Sequence, residues 1–290
     1  MIALTTLTMI AFAGNSLLCR LALEQGSIDP ASFTTIRVVS GALTLWVIVQ
    51  VFRGKPTEYA GSWLSALALI AYAAGFSFAY LSLTAASGAL LLFVAVQATM
   101  IGYGLWGGER FARLQIIGLV LALGGLVGLL LPGLSAPPLQ GSMLMLGAGV
   151  AWGVYSLRGK GAGDALAATA GNFLRAVPVA GALSALMLPE TALDGAGFWY
   201  AVSSGAITSG IGYAIWYTVL PALKSTEAAT VQLSVPVIAA LGGILLLGEP
   251  LTLRLVLASV AILGGIALVI QKQDAEAAPG AVSAEDPSRR

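Results

Sequence analysis

The chain has 290 residues, of which 58% are hydrophobic and only 9% charged. A soluble domain carries about 25% charged residues, so a water-facing surface cannot be covered here and most of the molecule must face lipid. The net charge of +1, the absence of histidine and the single cysteine, Cys19, exclude a basic nucleic-acid field, a disulfide framework and His-based or Cys-cluster metal chemistry. No metal and no cofactor is expected, and the expected partners are a lipid bilayer and a small-molecule substrate.

A bilayer core takes about 20 apolar residues per helix. That window predicts an all-α integral membrane protein with ten transmembrane helices, at about residues 2–23, 31–52, 60–82, 85–106, 112–132, 139–158, 165–188, 197–219, 226–247 and 252–271. Ala11-Phe12-Ala13 has the small-x-small look of a signal-peptidase site. No basic segment precedes it, however, and the apolar run continues to Leu23, so the segment reads as the first span. Turn or charge signals at 26–30, 53–58, 131–138 and 189–195 separate later spans, whereas spans three and four need a very short hairpin around Thr84.

Arg53, Lys55, Arg110, Arg113, Arg158, Lys160, Lys224, Lys272, Arg289 and Arg290 fall on one set of connections with the C-terminal tail, whereas the other set holds the cations Arg254 and Arg20 but also Glu24, Asp29, Glu190 and Asp194. The positive-inside rule then places both termini in the cytoplasm, with the chain in the cell's inner (plasma) membrane. Residues 272–290 are polar, small and proline-containing, and are expected to form a disordered cytoplasmic tail.

One phrase occurs twice. Gly108-Glu109 opens an apolar run ending in Gly124-Gly125, and Gly248-Glu249 opens another ending in Gly264-Gly265, 140 positions later. At the same offset Ser16-Leu17 meets Ser156-Leu157, Arg20 meets Lys160, and Gly41-Ala42-Leu43 meets Gly181-Ala182-Leu183. The chain therefore reads as a duplication: an N-terminal five-helix repeat over 1–132 and a C-terminal one over 139–271. Five spans is an odd number, so the second copy starts on the other side of the membrane. Two inverted five-helix repeats are the expected architecture, with Glu109 at the cytoplasmic face and Glu249 outside. Inverted repeats recur in secondary transporters, whose substrate site tends to lie near midplane between the halves.

Ten spans arranged five plus five, with Gly-Glu before the fifth and tenth, Gly-Gly inside them and Pro236 in span nine, resemble the EamA-type branch of the drug/metabolite transporter superfamily. The resemblance covers about residues 1–271. Gln97 departs from it, since many such repeats carry proline near that place. It implies a carrier, and within the branch the chain looks like exporters of amino acids and related metabolites, including YddG-type aromatic amino-acid exporters. Such families are often taken to be proton-coupled. No Asp or Glu lies near the centre of any predicted span, which favours facilitated transport or exchange.

Candidate site residues follow from chemistry at depth. Tyr72, Phe76 and Tyr80 recur at i, i+4 and i+8 on one helical face. At the repeat offset Phe76 meets Trp216, with Tyr213 one turn before it, while Asn15 on span one meets Tyr155 on span six, near Trp152. With Gln232 these residues are the candidate substrate-binding set, a ring of aromatics and amides suited to a flat, partly apolar solute. Filling of the bundle by bulky side chains is the alternative.

Arg37 and Arg175 are the intramembrane charges, placed either to attract a substrate carboxylate or to bond backbone carbonyls. Glu109 and Glu249 are candidates for gating, each pairing with a cation as its side closes, or for simple capping of the helix each one opens. Gly104 with Gly108 and Gly124 with Gly128 have small-xxx-small spacing and are expected at close helix contacts. No catalytic residue and no Walker pattern is present, so the chain does not read as an enzyme. An intramembrane enzyme, a channel, or a carrier for a different metabolite or drug are the alternatives. Oligomeric state is open, and a monomer suffices.

Overall fold

The computed structural model describes residues 1–53, 60–108, 112–133, 135–159, 163–223 and 231–277. Among these residues the regular structure is helical, apart from one isolated bridge, Ile28 to Leu193, between two connections. The helices are α1 (Ile2–Glu24), α2 (Pro30–Arg53), α3 (Trp63–Ala79), α4 (Ala85–Trp106), α5 (Arg113–Leu130), α6 (Leu139–Gly159) and α7 (Ala165–Leu186). A continuous rod follows, made of α8 (Gly195–Ser203), a π-helical stretch (Ser204–Ile211) and α9 (Gly212–Val219). The last two are α10 (Ser234–Leu247) and α11 (Leu253–Ala277).

These bounds follow the apolar runs and their punctuation. The short hairpin between α3 and α4 is present, and the Thr84 hydroxyl caps α4 by accepting from Ser87 N. Asp164 and Asp194 cap α7 and α8 in the same way. One expectation needs correction: the helix α11 runs to Ala277, past the expected tail boundary at 271. The eighth span stays continuous but takes π geometry from Ser204 to Ile211. Residues 278–290 of that expected tail lie outside the described residues.

Five of the described helices, α1, α2, α4, α5 and α7, are long and apolar enough to cross a membrane, and α3, α10 and α11 contain shorter apolar segments. Connections gather at two ends of the bundle. At one, Asp29 N bonds Ala192 O, and Glu249 reaches the start of α4. At the other, Ser62 N bonds Asn172 Oδ1, and Arg158 bonds the Ser62 and Ser65 hydroxyls.

The twice-written phrase builds a close helix crossing. Helices α5 and α11 run antiparallel, with Gln115 Nε2 donating to Val269 O at 3.1 Å. A Cβ on Gly118 would lie 2.5 Å from Gly265 O, and one on Gly125 would lie 2.9 Å from Ala261 Cβ and 3.2 Å from Ala258 O. The contact is reciprocal: Gly265 packs on Gly118 and Ala122, while Gly125 packs on Ala258 and Ile262, each set being the other shifted by 140. Only glycine admits backbones this close. The expected glycine contacts lay elsewhere, and that expectation is corrected: among the described residues nothing lies within 4 Å of where a Cβ would stand on Gly108, Gly124 or Gly128.

Candidate substrate-binding cavity

The buried faces of α1, α3, α4, α6 and the α8–α9 rod enclose a cavity. Asn15 lines it from α1, Tyr72 and Phe76 from α3, and Trp152 from α6. The π stretch contributes Thr208 and Ser209, α9 contributes Tyr213, and Gln232 stands just before α10. The lined space is about 420 Å³ with its mouth included, and the part able to take a water centre is about 30 Å³, room for about two waters. Side chains must move outward for a larger solute to be held.

Trp152 is the centre of the wall. Its ring stacks on Tyr213 at 5.3 Å and 25° and on Tyr155 at 5.3 Å and 26°, and lies 4.8 Å from Tyr72. Phe12 meets Tyr213 and Trp216 edge-on. Pairs of this geometry are worth about 0.5–1.5 kcal/mol each beyond area burial, so the rings hold one another in place.

Polar groups converge on two points. Asn15 Oδ1 accepts from Ser204 Oγ at 2.6 Å and from Thr208 Oγ1 at 3.3 Å, while Asn15 Nδ2 donates to Tyr72 Oη at 3.3 Å. Arg37, only 2% exposed, donates from Nη2 to Tyr72 Oη at 2.9 Å and from Nε to Ser209 Oγ at 3.4 Å. Its guanidinium carbon lies 5.0 Å from the Phe76 ring centre and 5.2 Å from that of Tyr72.

Asn15, Tyr72, Phe76, Trp152, Tyr213 and Gln232 thus line one cavity. The other three candidates stand behind them. Tyr80 backs Phe76 edge-on at 4.8 Å, donates to Ala85 O, and fills the space left by Gly88. Tyr155 lies beneath Trp152 and donates to Thr169, and Trp216 lies behind Phe12. Arg175 lies off the cavity wall, donating from Nη1 to Gly171 O and Ala60 O, which ties α7 to the segment before α3. Sequence reasoning missed Ser204, Thr208 and Ser209.

Glu249 does not cap the helix it precedes. Gly248 ends α10 at φ +67°, a left-handed turn natural only to glycine, and this sends the carboxylate back across the bundle. There both oxygens accept from Ala85 N, at 3.0 and 2.9 Å, at the N-terminus of α4. Arg20 Nε of α1 lies 3.2 Å from Oε1. Gly243 leaves the room, since a Cβ there would lie 2.5 Å from Glu249 Oε2. Burial pushes the Glu249 carboxyl above its ordinary value, and the Ala85 N–H and Arg20 offset only part of that. The capping expectation is corrected in its object: the helix dipole served is that of α4. Glu109 lies outside the described residues.

Known proteins agree with this architecture. Residues 139–271 match the EamA-like transporter family. A protein of Pseudomonas aeruginosa, uncharacterized, is 56% identical over 267 residues, covering 92% of this chain and 93% of its own. The chain belongs to the EamA-like transporter family. This EamA-like protein is also 39% identical, over 69 residues, to an uncharacterized transporter of Archaeoglobus fulgidus, a match covering 24% of this chain and 25% of that one. A solved crystal structure superposes with a TM-score of 0.64 at 20% identity, over 92% of this chain and 99% of its own. That likeness is one of fold alone. Family and apolar helices together make the chain a multi-pass membrane transporter.

Proposed function

We propose that this transporter exports small organic metabolites, amino acids with aromatic or other neutral side chains foremost, by alternating access between two inverted five-helix halves in the inner membrane. The observation that carries the reading is the cavity, where Tyr72 and Phe76 of the first half face Trp152 and Tyr213 of the second. Stacked rings with a few convergent hydroxyls and amides suit a flat solute. The reciprocal α5–α11 crossing supports an inverted duplication, because a two-fold relation makes each residue's contact recur with the partners exchanged.

Glu249 acts in this reading as a latch. It joins α1 and α4 of the first half to the α10–α11 connection of the second, and so holds the bundle's outer end shut in this conformation. Opening requires Arg20 and the α4 N-terminus to part from it. Both termini are cytoplasmic, and movement is independent of a proton gradient, since no acid lines the cavity among the described residues.

The test is counterflow in liposomes loaded with unlabelled amino acids, following labelled phenylalanine, tryptophan, threonine and methionine with and without a pH gradient. Saturable counterflow without a gradient is expected. Uptake only with a gradient would overturn proton independence, and failure of all four solutes would overturn the amino-acid assignment.

A further inference from the structure

Arg37 is a full charge buried with no acid beside it among the described residues. Both ion pairs among the described residues belong to Arg20, with Glu24 and Glu249. What surrounds Arg37 is two hydroxyls and the faces of two rings, and its Nη1 has no hydrogen-bond partner among the described residues. Buried cations are ordinarily paired, because leaving water costs several kcal/mol that neutral dipoles repay only in part. A cation–π contact returns only part of that cost. Intramembrane arginines that persist under this cost face a partner or a pathway.

The guanidinium's geometry says what partner fits. Its Nε–Nη2 edge is taken by Ser209 and Tyr72, the first of these bonds being long at 3.4 Å. Nη1 remains, and with Nη2 it forms the end-on edge that matches a carboxylate bidentately once Tyr72 releases Nη2. Tyr72, Phe76 and Ser209, which touch the guanidinium, all line the cavity. The group therefore stands one side chain behind the wall, at the point where the α3 rings meet the hydroxyls of the π stretch. The close packing of Gly205 on the Arg37 backbone holds α2 at that place.

We infer that Arg37 is the anion-binding group of the cavity, and that the solute carried is a carboxylate on a flat apolar body. The carboxylate takes the Nη1 edge as Tyr72 swings aside, and the body lies between Trp152 and Tyr213. The inference rests on the transport reading above and assigns the residue that takes the solute's carboxylate.

The full chain in lipid nanodiscs is titrated with a matched set: 3-phenylpropionate, its neutral amide 3-phenylpropanamide, and phenethylamine. The wild type is expected to bind 3-phenylpropionate at least tenfold more tightly than the amide, and phenethylamine weakest. Arg37→Gln is expected to remove that tenfold preference, acid and amide then binding equally, and Arg37→Lys to keep part of it. Equal affinity of the wild type for acid and amide overturns the role of Arg37 and leaves an aromatic-solute carrier standing. That comparison needs no variant, so a misfolded Arg37→Gln does not remove the test. Tighter binding of the acid that survives in a folded Arg37→Gln also overturns it. Absence of binding by all three ligands overturns the inference and the aromatic-solute reading together.

Discussion

Helix α3 and the α8–α9 rod stand at the 140-residue offset, and the two differ where they meet the cavity. Helix α3 is α-helical from Trp63 to Ala79, whereas the rod changes to π geometry from Ser204 to Ile211. Leu64, Ala68 and Leu69 of α3 correspond to Ser204, Thr208 and Ser209 of the rod. In an α-helix, at 3.6 residues per turn, residue i+5 lies about 140° round from residue i. The i→i+5 bonding of a π-helix brings it near the same face. Ser204 and Thr208 thereby reach Asn15 while Ser209 reaches Arg37. These two elements thus divide the cavity wall: α3 gives aromatic rings and the Tyr72 hydroxyl, whereas the rod gives the Tyr213 ring and the serine and threonine hydroxyls of its π stretch.

The largest effect that breaks this comparison is expected at the ring standing between the two elements. Trp152→Ala removes the partner of both Tyr72 and Tyr213 and is expected to cost about 3–5 kcal/mol, read as a lower melting temperature, with counterflow falling at least tenfold. Gly205→Val comes next. Its side chain would meet the Arg37 carbonyl and the Ser40 hydroxyl, and overpacking of that kind costs about 1–3 kcal/mol. Denaturation in mild detergent checks it.

Substitutions at corresponding positions sharpen the division. Ser204→Ala is expected to lose about 1 kcal/mol with its bond to Asn15, whereas Leu64→Ala at the matching place in α3, where the side chain is exposed, should stay within about 0.5 kcal/mol. Equal losses at both would contradict the division.

The smallest effect concerns the latch. The Glu249 carboxyl is raised in the folded chain, so its contribution favours folding below the ordinary carboxylate value and is lost as pH climbs through the raised one. Wild type minus Glu249→Gln melting temperature should therefore decline across that window. A difference that rises with pH would show that the contacts with Ala85 and Arg20 outweigh burial.

Much of the frame was legible because lipid imposes it: helix length, turn residues and the spacing of Tyr72, Phe76 and Tyr80 all write themselves as local pattern. The rings cluster because one helical face must turn inward, which periodicity records. Three features are not local. Nothing in the apolar run around Ser204 distinguishes a π from an α geometry. Glu249 meets a helix start 164 positions earlier in the chain, at Ala85, and so was read against its own helix. Glycine spacing marked Gly124 and Gly128 but not the packing residues Gly118 and Gly265, since small-residue spacing says nothing about which face meets a neighbour.

The central claim, that the solute occupies the ring-and-hydroxyl cavity, is tested most directly by labelling a cysteine placed there. Cys19, fully buried on α1, is replaced by alanine, and Ser16→Cys puts the sole thiol on the cavity wall. The protein in liposomes is then treated with a maleimide, with and without a transported solute. The account predicts slow labelling that the solute suppresses in proportion to its occupancy. Labelling at the same rate with a saturating transported solute would contradict it, because the cavity would then be no part of the path.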